Sequence, residues 1–314
     1  MRKTLVGVDL GGTNIRAALA TGETEHAPPV HRGTPAGDGP AAVLDAVAEC
    51  VREAAGRPVD GVAIGIPGPL DPRTGVVHAA PHLPGWEELP AAQLLSQRVG
   101  APVAVRNDAK LAGFAEWKAG AGKGSRHLIF ITASTGIGGA LILDGRPYDG
   151  PTGSGGEIGH FPLGLDGPPC GQGHPGCLEG FAAGTGIAGS ARRAVASGSA
   201  TSLSSLPVDS IDARAVEEAA EAGDQLSMQI FHDAGRALGR QIGGLINLLS
   251  PEVIVIGGGL INAGDLLFGP LSQGVKEMAF EYMASRCRIV RAGLGTDAGL
   301  VGAVAWAVHT FGDA

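Results

Sequence analysis

Twice in this chain a short apolar run meets a glycine-rich turn and returns as a second apolar run. The first copy is Leu5 to Asp9, then Leu10-Gly11-Gly12-Thr13-Asn14, then Ile15 to Ala20. The second is Leu128 to Thr132, then Ala133-Ser134-Thr135-Gly136-Ile137-Gly138-Gly139, then Ala140 to Leu143, closed by an Asp144-Gly145 hairpin signal. Strand, glycine turn, strand, written twice, predicts two halves built on one plan. Glycine turns after strands are common in any α/β protein, so the repeat alone leaves open whether it is more than that.

The segments around the two copies alternate in period. Residues 62–66, 102–106 and 253–256 read as short buried strands. Helical spacing covers 41–55, 91–99, 109–119, 181–197, 212–221, 224–249 and 299–311, with Gly56 and Pro58 stopping the first helix. Residues 151–180, rich in Gly, Pro, Cys and His, read as loop. This βα alternation predicts a parallel or mixed sheet covered by helices. A length of 314 residues suits two modest domains or one large α/β unit.

Composition excludes several classes. Glycine supplies 53 of 314 residues against a usual ~7%, yet without the period of three that collagen requires. A hydrophobic share of 44% excludes wholesale disorder. With 31 acidic and 23 basic residues the formal charge is −8, and no basic patch suggests a nucleic-acid partner. Asp9 ends the first apolar run too soon for a signal peptide, and no uncharged apolar stretch reaches the ~18 residues of a membrane span. Cys50, Cys170, Cys177 and Cys287 form no dense framework. The expectation is a cytoplasmic protein with no membrane partner.

Four places carry candidate chemistry. Asp9-Leu10-Gly11-Gly12-Thr13 puts a carboxylate at a strand end, followed by backbone free of side chains. Such backbone N–H groups can approach phosphate oxygens, and the carboxylate can hold Mg²⁺ through water. Thr135-Gly136-Ile137-Gly138-Gly139 offers the same cradle from the second copy. Neither turn is a Walker sequence, and neither matches a dinucleotide fingerprint. Asn107-Asp108 stands where a strand ends and a helix begins. One of the two can be an N-cap; a carboxylate there can also take the proton of an attacking hydroxyl. The densest cluster is Glu157, His160, Cys170, His174, Cys177 and Glu179. Thiols and imidazoles on one Gly/Pro loop suit tetrahedral Zn²⁺, and the two glutamates can accept hydrogen bonds from sugar hydroxyls.

These motifs, in this order, resemble the ROK family (repressors, open reading frames and kinases), and its glucokinases most closely. Asp9-Leu10-Gly11-Gly12-Thr13-Asn14-Ile15-Arg16 resembles the first phosphate motif. Gly65-Ile66-Pro67-Gly68-Pro69-Leu70-Asp71 resembles the segment at the sugar cleft, and Asn107-Asp108-Ala109 the sugar-binding and catalytic pair. Thr135 to Gly139 resembles the second phosphate motif, Gly257-Gly258-Gly259 the adenosine-contacting turn, and Gly156-Glu157-Ile158-Gly159-His160 with Cys177-Leu178-Glu179 the family signature. The resemblance implies an α/β, actin-like (ribonuclease H-like) two-domain fold with an interdomain cleft. The expected division is 1–117 plus about 300–314, against 118–299 with the loop near 156–179.

By the same resemblance, Asp108 is the general base for a hexose 6-hydroxyl. Gly68, Asn107, Glu157, His160 and Glu179 line the sugar site. Asp9, Gly11, Gly12, Thr13, Thr135, Gly136, Gly257, Gly258 and Gly259 bind ATP and Mg²⁺. The implied reaction converts glucose to glucose 6-phosphate; N-acetylmannosamine, N-acetylglucosamine, mannose and fructose are the alternative substrates. A sugar-responsive repressor is disfavoured, because Asp9 opens the phosphate motif with no room before it for a helix-turn-helix. A homodimer or homotetramer is implied.

Three departures stand out. Gln172 replaces one cysteine of the family's zinc set, leaving His160, Cys170 and Cys177. His174 is the candidate fourth ligand for Zn²⁺; three ligands with water, or no metal, are the alternatives. Lys110 and His82 each stand where an asparagine is common in the family, as surface variation or as tuning of the sugar pocket.

Overall fold

The structure, a computed structural model, describes residues 3–164 and 166–312. The chain begins β1 (Leu5–Leu10), β2 (Asn14–Leu19), β3 (Val30–Gly33), α1 (Gly39–Ala55), β4 (Gly61–Ile66), β5 (Leu70–Asp71), β6 (Val76–Ala79) and β7 (Glu87–Leu89). It continues α2 (Ala91–Val99), β8 (Val103–Asn107), α3 (Asp108–Lys118), β9 (Leu128–Ala133), β10 (Ile137–Leu143) and β11 (Arg146–Tyr148). After a long loop come α4 (Leu178–Ala182), α5 (Gly184–Ala196), α6 (Ala213–Glu221) and α7 (Gln225–Leu249). The last elements are β12 (Val253–Gly257), α8 (Asp265–Met278), α9 (Glu281–Ala284), β13 (Arg288–Arg291) and α10 (Ala298–Phe311). Among the described residues no helix is long and apolar enough to cross a membrane.

Contacts divide the chain into two compact units: residues up to 126 with 140–156 and 292 onward, and residues 127–139 with 157–291. The first unit takes in the segment before α10 because the buried Glu116 carboxylate accepts from the N–H groups of Gly293 (3.1 Å) and Leu294 (2.8 Å).

In the first unit the sheet runs β3-β2-β1-β4-β8. β1 and β2 pair antiparallel, from Val6 opposite Leu19 to Leu10 opposite Ile15. β1–β4 and β4–β8 pair parallel. β1 is buried on both faces, and its period-2 alternation sorts its side chains. Val6, Val8 and Leu10 pack with Val43, Val47 and Val51 of α1. Leu5 packs on the opposite face with Ala63 and Ala307, under α10. Each fully buried valine or leucine stabilises the sheet by about 1.5–3 kcal/mol, so a charge at Val8 would break the unit. A small antiparallel sheet, β5-β6-β7, has no counterpart in the sequence reading.

The second sheet has the order β11-β10-β9-β12-β13. β12 lies parallel to β9, Val253 opposite Leu128 through Gly257 opposite Thr132, and parallel to β13 on its other side. The glycine turns at 11–13 and 134–136 thus each join two neighbouring strands of a sheet, β1 to β2 and β9 to β10. The helix expected over 181–197 is instead two helices. Ala183 is extended (ψ 162°), and the break frees the Gly184 N–H to donate to the Ser134 carbonyl at 2.7 Å. Helix α8 has no expectation on the sequence side, since Pro270 and nearby glycines obscure its period; packing against α7 carries it.

Candidate functional site

Within the first unit, parallel pairing brings the C-terminal ends of β1, β4 and β8 side by side, which is where open α/β sheets place chemistry. Asp9, near the end of β1, is in register with Gly65 of β4, and Ile66 with Asn107 of β8. Arg16 Nη2 donates to Asp9 Oδ2 at 2.6 Å. The turn carrying Gly11, Gly12 and Thr13 is held by Thr34, whose hydroxyl donates to the Gly11 carbonyl at 2.8 Å. His82, exposed, packs its Cβ over Gly12.

Asn107 is the N-cap of α3: its Oδ1 accepts from the Lys110 N–H at 3.2 Å. Its Nδ2 donates to the Gly68 carbonyl at 3.2 Å. Gly68 has φ +101°, and a Cβ there would collide with the Ala79 carbonyl, so this carbonyl is presented by a position only glycine fills. The cap and the turn therefore account for Asn107. Asp108, in the first turn of α3, accepts the Ala109 N–H at 2.8 Å through Oδ1, and the capping role does not need it.

Within the second unit, the ligand atoms of His160, Cys170 and Cys177 lie within 4.8 Å of one another. His160 Nδ1 is buried without a hydrogen-bond partner. Burial raises the Cys177 thiol, and a hydrogen bond with Cys170 adds to the rise. A histidine with a buried, unpartnered ring nitrogen, gathered with two thiols, fits Zn²⁺, which would deprotonate both sulfurs. His174 is exposed and stands outside this group, although its carbonyl accepts from the Cys170 N–H at 3.0 Å. Gln172 is likewise exposed.

Glu157 is exposed at the start of the short helical turn that carries His160. Glu179 is more constrained than the sequence suggests. Its Oε1 accepts from Gly171 N–H at 2.9 Å and its Oε2 from Ile137 N–H at 3.2 Å. One carboxylate thus ties the thiol loop to the turn of Thr135 and Gly136.

That turn forms one wall of a cavity of about 710 Å³, lined by Ser134, Thr135, Thr185, Arg192, Glu217 and Gly259 among others. Gly258 has φ +90°, and a Cβ there would collide with the Ala133 backbone, so the turn after β12 closes directly onto the end of β9. Thr185, at the start of α5, donates its hydroxyl to the Thr135 carbonyl at 3.0 Å. Burial, with Glu221 and Glu218 beside it, raises the Glu217 carboxyl. Sequence reading missed Thr185 and Glu217; the helix break at Ala183, which brings α5 to the turn, leaves no local signal.

Two mixed five-stranded sheets in an α/β chain, each containing a strand, glycine turn and strand, define the actin-like, ribonuclease H-like class. The chain belongs to the ROK family, whose pattern matches residues 5–310. It is 35% identical to a glucokinase of Thermotoga maritima over 306 residues, 95% of both chains. The crystal structure of a ROK hexokinase from Thermus thermophilus superposes with a TM-score of 0.83 at 34% identity, covering 96% of each chain. A ROK glucokinase from Streptomyces griseus, solved in complex with glucose and AMPPNP, gives a TM-score of 0.79 at 32% identity over 98% of this chain and 99% of that one.

Proposed function

We propose that this chain transfers the γ-phosphoryl group of ATP to the 6-hydroxyl of a hexose, with glucose the preferred acceptor, a glucokinase-type activity. The observation that carries the reading is Asp108. It stands at the head of α3, directly after β8, where its neighbour Asn107 supplies the helix cap. The glucose and AMPPNP bound to the Streptomyces griseus relative support the choice of acceptor and donor.

In the mechanism, Asp108 accepts the proton of the 6-hydroxyl as that oxygen bonds to the γ-phosphorus and the bond to the β–γ bridging oxygen breaks, releasing ADP. Gly68, Asn107, Glu157, His160 and Glu179 hold the sugar. Site carboxylates accept from hydroxyls, and a sugar lacking one leaves a partner unpaired, the basis of discrimination. Gly11, Gly12, Thr13, Thr135, Gly136 and the turn Gly257 to Gly259 present backbone to the nucleotide. Asp9 would hold Mg²⁺, which would neutralise charge on the phosphates.

His160, Cys170 and Cys177 would hold Zn²⁺; the exposed His174 side chain would turn inward to supply the fourth ligand. Bound there, the metal would play a structural part, ordering the loop that carries His160. The deciding experiment is an ATP-coupled assay over glucose, mannose, fructose, N-acetylglucosamine and N-acetylmannosamine. Turnover is expected to be highest on glucose; phosphorylation of none of the five overturns the proposal.

A further inference from the structure

Arg106 and Lys110 bracket Asn107-Asp108 in the sequence, and both are buried, at 8% and 7% exposure. Buried cations persist only when paired, and both reach the same loop. Arg106 donates to the Asp149 carboxylate, its guanidinium 4.0 Å from the centre of the Trp306 ring. Lys110 Nζ donates to the Gly155 carbonyl and lies 4.0 Å from the other Asp149 oxygen. The loop between these anchors closes on itself, with the Gly155 N–H donating to the Asp149 carbonyl at 2.7 Å and the Gly153 N–H to Gly150 at 3.3 Å. Glu157 and His160 follow directly along the chain.

We propose that Lys110, acting with Arg106 through Asp149, is a positioning residue for hexose: it fixes the start of the segment that carries Glu157 and His160. The inference rests on the sugar-site reading above. A lysine is suited to this because its ammonium, at the end of four methylenes, can meet a backbone carbonyl and a carboxylate together. Lys110 is thus neither solvent-facing nor surface variation. It touches no reacting atom; it acts through the loop it holds.

The test uses the full chain carrying Lys110→Met, Lys110→Arg or Asp149→Asn. Lys110→Met keeps the buried volume and removes the charge. It is expected to raise the KM for glucose by about tenfold or more, while the KM for ATP stays within about twofold, the split that marks a misplaced acceptor. Amide exchange over residues 149–160 should quicken in the same variant, and Lys110→Arg should recover most of both effects. If Lys110→Met fails to fold, Asp149→Asn carries the same expectation. A glucose KM within about twofold of wild type, or unchanged exchange over 149–160, overturns the proposal. If the unaltered chain phosphorylates no hexose, the function reading fails by itself. The exchange measurement then still reports whether Lys110 holds the loop.

Discussion

Asp9 and Arg16 face each other in the β1–β2 ladder, and Arg16 closes on a single carboxylate oxygen, Oδ2, through both Nη2 (2.6 Å) and Nε (3.2 Å). Arg16 also donates to the Thr296 carbonyl at 2.6 Å and to Asp297 at 3.3 Å, so one guanidinium joins the hairpin to the segment before α10. The pair is partly exposed, at 20% and 22%, and an ion pair in such a place adds only about 1 kcal/mol to stability. Its larger effect is to orient Asp9. Asp9→Asn is expected to raise the Mg²⁺ concentration for half-maximal rate by about tenfold or more while leaving the hexose KM nearly unchanged. Arg16→Gln should move the same parameter in the same direction, by less. A Mg²⁺ titration of the coupled assay checks both, and an unchanged Mg²⁺ dependence in Asp9→Asn removes Asp9 from the metal role.

Asp108→Asn should lower kcat by about 10²–10⁴-fold, the range for loss of a positioned general base. Helix α3 should be nearly unaffected, because the cap is Asn107. Thermal melting of the variant should therefore stay close to wild type, and equilibrium binding of glucose should persist. Near-wild-type turnover would assign the proton to another group. Asn107→Ala is expected to do the opposite: it removes the cap, costing about 1 kcal/mol, and also frees the Gly68 carbonyl.

The elements that were legible in the sequence are those whose signal is local. The alternation of Val6, Val8 and Leu10, the glycine turns and the Asn-Asp pair at a strand end all depend on residues adjacent in the chain. What escaped depends on partners far away. The break at Ala183 exists because Gly184 and Thr185 bond to Ser134 and Thr135. Glu179 reads as a free acid until Gly171 and Ile137 are folded onto it. Lys110 reads as surface until Asp149 and Gly155 come to meet it. Spacing put His160, Cys170, His174 and Cys177 in one cluster; the fold gathers His160, Cys170 and Cys177, while the His174 side chain stays exposed outside them.

The thiol loop gives a metal prediction independent of activity. Elemental analysis of the purified chain is expected to find about one zinc per chain, in line with a single closed site. Cys170→Ser, Cys177→Ser and His160→Ala should each lose most of it, since each removes a ligand from the group gathered within 4.8 Å. His174→Ala tests the fourth position, and loss of zinc there is the expected outcome. Zinc retained at the wild-type level in that variant would give the position to solvent.

Asp224 provides the pH-dependent prediction. It caps α7, the longest helix, accepting from Ser227 N–H at 2.9 Å, and it also accepts from Ser202 N–H at 2.7 Å and from the Thr201 hydroxyl. Burial alone would raise its pKa; the hydrogen bonds from Ser202, Ser227 and Thr201 outweigh it and hold the carboxyl well below the usual range. The unfolded chain, whose aspartate titrates near ~3.9, therefore binds this proton more readily than the folded one. The stabilisation is fully present above about pH 4 and is lost as pH falls from there toward the folded value. Asp224→Ala should cost about 1–2 kcal/mol at pH 7. Its melting temperature should also fall less than that of wild type between pH 5 and pH 3. Parallel acid dependence in the two proteins would show that the cap carries no share of the acid lability. A pH series of thermal melts on both chains decides it.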